Sequence, residues 1–273
     1  MSMLTATARL ATVGPAAWFK GLISAETVKL RATRSTYAML TGATALAVGI
    51  GPLVAKSTAS RWPHLTAAER AGFDPMATTF RGFEIAQLII ATLGVLAVSS
   101  EYSTGLIRTT FAAAPQRRAV LAAKALVIGA IALLIGTALS FATFFPTQAL
   151  LDPTGTSLAL GHPGVVRALL AMGVYLTAIA LTGLGLGTLT RSTAGGVAGL
   201  FGLVFLVPGA VSALPAPWNV RIGTWLPGDL AGQLTGLHLQ AGALSRPASL
   251  IVLLLYPIVF LGLAAIRLHR QDA

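Results

Sequence analysis

Six stretches of this chain, residues 37–55, 83–99, 119–146, 165–189, 194–214 and 247–266, are apolar almost from end to end. Each comes close to the roughly 20 residues a helix needs to cross a hydrocarbon layer about 30 Å thick. A barrel strand would alternate over about ten residues; these runs are continuously apolar and are read as helices. The expectation is an all-α membrane protein, one transmembrane domain over residues 1–273 with six transmembrane helices. Composition agrees, with 55% hydrophobic residues, 10% charged and a mean hydropathy of +0.79.

A formal net charge of +11 raises the question of nucleic acid. The bases flank the apolar runs in short segments and form no continuous basic face, so membrane lipid is the expected partner and nucleic acid is not. Basic residues concentrate in cytoplasmic connections. With the N-terminus inside, Arg9, Lys20, Lys29, Arg31, Arg34, Arg108, Arg117, Arg118, Lys124, Arg191, Arg267 and Arg270 are cytoplasmic, against Lys56, Arg61, Arg70, Arg81, Arg167, Arg221 and Arg246 outside. This count favours a multi-pass protein with both termini in the cytoplasm. The first strong apolar run begins near Tyr37, too late and behind too many bases for a cleavable signal peptide. With no cysteine, and with His64, His162, His238 and His269 scattered, no metal site is expected.

Ahead of the first span, residues 15–35 read as an amphipathic helix opening at Pro15. Lys20, Ser24, Thr27, Arg31 and Arg34 make a basic polar stripe, with Trp18, Phe19, Leu22, Ile23 and Leu30 mostly opposite. Such a helix suits the inner headgroup surface. Residues 56–82 and 215–246 are long connections. The second, "LPAPWNVRIGTWLPGDLAGQL", reads as short interfacial or re-entrant helices, since Trp218 and Trp225 favour that depth.

In "LTGLGLGTLTRSTAGGVAGLFG", Gly183 with Gly187 and Gly195 with Gly199 have the spacing that lets membrane helices approach closely. No dinucleotide fingerprint is implied, because no strand precedes the run. The chain has no P-loop, no H-E-x-x-H, no G-x-S-x-G elbow and no paired carboxylates within a span, so no catalytic constellation assembles. Glu84, three residues after Arg81 and able to pair with it, is the only candidate for a proton-coupled carboxylate. Pro208 should disturb the fifth span.

Between the second and third spans lies "SSEYSTGLIRTTFAAAPQRRAVLAAK". Glu101 follows the span directly and is expected at headgroup level. Residues 104–113 allow a short helix anchored by Leu106, Ile107 and Phe111, which Pro115 stops. Arg117, Arg118 and Lys124 then mark the foot of the third span. A surface helix there offers a docking face for a cytoplasmic partner.

At these residues the chain resembles the permease subunits of type-2 ABC transporters, particularly those of actinobacterial export systems. "SAETVKLRATRSTYAML", the stretch just quoted and "LGTLTRSTAGG" carry the likeness. The resemblance implies that residues 100–118 form a coupling segment to an ABC ATPase subunit, with Glu101, Gly105, Arg108, Thr109 and Thr110 in transmission and Arg117 and Arg118 positioning the third span. It implies an interfacial helix bearing Trp18, Phe19, Lys20, Arg31 and Arg34, and a second permease copy or paralogue. ATP and Mg would be used by the ATPase, with no cofactor bound by this chain. The function implied is alternating-access transport, export by preference, with no enzyme activity in this subunit. The alternative is a non-transporting membrane anchor or sensor that docks a cytoplasmic partner through the same segment.

Overall fold

The computed structural model describes residues 14–239 and 242–270; Arg9 and Asp272 lie outside them. The protein is an all-α membrane protein: 84% helical, without strands among the described residues, and with six helices long and apolar enough to span a bilayer.

In chain order the helices are α1 (Pro15–Ala32), α2 (Arg34–Arg61), α3 (Ala67–Ala71), α4 (Pro75–Phe80), α5 (Phe83–Thr104), α6 (Leu106–Ala113) and α7 (Arg117–Leu151). They continue as α8 (Val165–Thr190), α9 (Thr193–Phe201), α10 (Val207–Ser212), α11 (Trp218–Gly223), α12 (Pro227–Thr235) and α13 (Arg246–Arg270). The spans are α2, α5, α7, α8, α9 with α10, and α13. Several outrun the apolar runs from which they were inferred. The 35 residues of α7 measure about 52 Å, well beyond the hydrocarbon thickness, because polar flanks continue the helix into the headgroup zone.

Helix α8 is the hub, packed against α5, α7, α9, α12 and α13. Leu169, Leu176, Ile179 and Leu184 on it are fully buried. Lipid tails supply no hydrophobic drive between helices, so close backbone approach must hold them. A Cβ on Gly183 would fall on Ala91 O, one on Gly94 on Ala180 O, and one on Gly187 within 2.8 Å of Val95 O. The second anticipated pair is placed differently. A Cβ on Gly195 would meet the Thr190 side chain at the end of α8 from 3.1 Å, and one on Gly199 the Leu186 side-chain carbons of α8 at 3.4 Å or more. Gly196, one position on, is the glycine that faces Val95.

The fifth span runs without a break from α9 through a π-helical turn at Gly202–Leu206 into α10. Pro208 stands just beyond that turn, and a widened turn relieves its clash with the preceding carbonyl.

The connection 56–82 is far from structureless. Thr66 and Glu69 form a reciprocal capping box that starts α3, and Asp74 caps α4 by accepting from Met76 N and Ala77 N at 2.8 and 3.1 Å. Helix α4 buries Met76, Thr78, Thr79 and Phe80 against α2 and α7. At the same end, α12 buries Leu230, Ala231, Gln233 and Leu234. Arg167 donates to Leu234 O and Gly236 O, and Arg246 to Leu237 O, placing two cations at the carbonyl end of α12.

Candidate functional site

The opposite end of the bundle carries α1, α6 and the α8–α9 connection. Here four ionisable side chains from three helices converge. Glu26 lies on the inward face of α1, Glu101 in the last turn of α5 and Lys124 two turns into α7; they are 6%, 5% and 2% exposed. Lys124 Nζ donates to Glu26 Oε2 and Glu101 Oε1, both at 2.6 Å, and to Ala97 O at 3.1 Å, so all three of its protons are used. Lys29, one turn after Glu26, donates to Glu26 Oε1 and Glu101 Oε1 at 2.8 Å and reaches Thr110 Oγ1 at 3.4 Å.

The cluster is formally neutral, with two carboxylates and two ammonium groups. Neutrality is what makes it tenable, because an isolated charge at this burial costs several kcal/mol and pairing offsets it only when geometry is good. Among the described residues Glu101 Oε2 is buried without a partner, an unused acceptor inside the network. Lys29 is the open edge, its side chain 40% exposed. Burial pulls the Lys29 ammonium down, but hydrogen bonds to Glu101 and Glu26 outweigh this and leave its pKa raised.

Helix α6 is attached to this cluster. Gly105 joins α5 to α6 at φ 75°, in the left-handed region that favours glycine. Ile107 and Ala114 are buried, Phe111 is half-buried with the Arg117 guanidinium 5.0 Å from its ring centre, and Thr110 meets Lys29. The other face, Leu106, Arg108, Thr109, Ala112 and Ala113, is exposed, with Leu106 at 55%. Arg118 is exposed beside it.

The α8–α9 connection lies alongside. Arg191 takes φ 54° at the end of α8 and sets its guanidinium 5.3 Å from the Tyr102 ring centre; Ser99 and Thr193 hydroxyls meet at 2.8 Å; Arg267 of α13 donates to Leu189 O.

The residues singled out from sequence thus divide by depth. Arg108, Thr109 and Gly105 are at the surface, Thr110 is half-buried, and Glu101 is buried among protein side chains. On α1, Lys20 and Arg31 are exposed and Trp18 and Phe19 half-buried; the helix expected over 15–35 stops at Ala32, where Thr33 turns extended, so Arg34, also exposed, opens α2 instead. Lys124, read as a foot residue, is the deepest charge in the cluster. Glu26 and Lys29 were missed as members. The available signal was a single acid on the otherwise apolar face of a basic helix, a costly placement without an internal partner.

Among the described residues no group of three or more His, Asp or Glu could hold a metal. No protein-family model, curated protein or solved structure matches the chain. Fold and residues define a multi-pass membrane protein with a charge-locked helix at one end of its bundle.

Proposed function

We propose that this chain is the permease subunit of an ATP-driven transporter of the type-2 ABC class, residing in the plasma membrane with both termini cytoplasmic. The observation that carries the reading is α6: an exposed Leu106, Arg108 and Thr109 on one face, and on the other side Thr110 and Ile107 tied into α1, α5 and α7. A partner pressing on that face pushes on three long helices at once. In this reading the partner is an ATPase subunit that binds ATP and Mg, and paired ATPases closing on nucleotide tilt the helices of this chain and of a second permease copy or paralogue. Packed cores switch between discrete arrangements and do not deform continuously, so a rigidly linked α6 is a suitable input. Export by alternating access follows from the sequence resemblance.

The test uses the exposed residues, since replacing buried Glu101 would also damage the fold. Arg108→Glu with Leu106→Ala should abolish co-purification with an ATPase subunit and ATP-dependent flux in vesicles while thermal stability holds. Unchanged assembly and flux would reject the coupling role. Partner binding to the wild-type chain without any ATP-driven flux would instead identify the anchor or sensor alternative.

A further inference from the structure

The end of the bundle remote from α6 holds an open cavity of about 560 Å³ between α4, α5, α8, α11 and α12, within the size range of small-molecule sites. This chain carries +11 overall and only eight acidic residues, yet Asp74, Glu84 and Asp229 all line this one cavity; among the described residues Arg81 is its only Lys or Arg, and His238 lines it too. Asp74 is committed to capping α4, and Glu84 to Arg81 at 2.9 Å. Asp229, on the first turn of α12, makes no hydrogen bond or ion pair among the described residues. It is exposed at the rim of the cavity, and its partial burial raises its pKa. The nearby guanidinium groups of Arg167 and Arg246 are spent on the carbonyls at the other end of α12.

The wall below is apolar and polarisable. Phe80 and Phe83 meet edge to face at 5.6 Å, with Met76 and Met172 beside them. Deeper still, Tyr175 donates to Gln87, whose amide donates to Glu84 O, so these polar groups are already satisfied. A net negative rim over aromatic rings and thioethers is complementary to one ligand chemistry, a cation with an apolar body. We infer that this cavity binds an organic cation of amphiphilic character, its charge held at Asp229 and its body against Phe80, Phe83 and Met172. As a substrate site the inference rests on the permease reading, but the binding itself does not.

Tetraphenylphosphonium is the probe, with tetraphenylborate as the anion of the same shape. Equilibrium binding to the purified full chain in nanodiscs should be saturable for the cation, about fivefold weaker in Asp229→Asn, as for a charge contact worth about 1 kcal/mol, and not displaced by the borate. Asp229→Asn should shift the thermal midpoint little, since the carboxylate makes no hydrogen bond or ion pair among the described residues and contributes only its first-turn position on α12. Saturable binding weakened about fivefold in the variant supports the site. No saturable binding to folded protein, equal binding to the variant, or displacement by the anion overturns it. Because no ATPase enters this measurement, its failure leaves the permease reading standing, and absent ATP-driven flux would leave a positive binding result standing.

Discussion

Lys124 Nζ and Glu26 Oε2 lie 2.6 Å apart across 98 residues of chain, joining the N-terminal helix to the longest span deep inside the protein. The pair is held within a neutral set of four charges, so removing one member does more than delete a contact. Lys124→Met leaves Glu26 and Glu101 with Lys29 alone, a net buried negative charge, and should cost about 3–5 kcal/mol. Glu26→Gln combined with Lys124→Met restores neutrality through the remaining Lys29–Glu101 pair and should cost less than the two single changes added together. Denaturation of the detergent-solubilised protein checks both, and strict additivity would show that the charges are not coupled.

Lys29 gives the cluster a pH dependence of known sign. Its folded-state pKa is raised above the ordinary lysine value of 10.5, so its stabilising contribution is fully present below that value and is lost as pH rises through the folded pKa. Thermal midpoints measured upward from pH 9 should therefore fall in the alkaline range, and Lys29→Met should flatten that part of the profile. An identical alkaline slope in the variant would remove Lys29 as its source.

The close α5–α8 approach predicts a contrast among glycines of the same membrane region. Gly94→Ala places a methyl on Ala180 O, where both partners are backbone and neither helix can yield alone. The expected cost is about 1–3 kcal/mol. Gly199→Ala meets only flexible Leu186 carbons at ordinary contact distance and should stay within about 0.5 kcal/mol of wild type. Equal thermal shifts for the two would contradict the packing.

The contrast also shows which features sequence could reveal. The six spans were legible because bilayer thickness imposes a length and an apolarity that each span must meet alone. Gly183 was legible through its spacing, but spacing does not say how close an approach is: Gly195 and Gly199 face the Thr190 and Leu186 side chains of α8, whereas Gly196 meets Val95 and the Gly187 backbone. The charge cluster was hidden for a related reason. Glu26, on the apolar side of α1, called for an internal partner, but only the packing of α1 on α7 sets it and Lys29 beside Glu101 and Lys124. By contrast the "TAAE" of Thr66 to Glu69 is a local capping signature for α3, and reading it would have shortened the supposed loop.

Gly105 supplies a prediction about how firmly α6 is held. At φ 75° it is both the end of α5 and the start of α6, and a side chain with a Cβ pays about 1–2 kcal/mol there. A β-branched residue fares worst, whereas Asn tolerates this region through its short polar side chain. A Cβ at this position meets nothing within 4 Å, so any effect comes from the backbone and not from crowding. Gly105→Val should shift the α5–α6 junction and loosen the Thr110 and Ile107 attachments, speeding amide exchange across residues 106–113, while Gly105→Asn should leave exchange close to wild type. If Val and Asn exchange alike, the junction does not depend on the left-handed backbone, and α6 is held by its side-chain contacts alone.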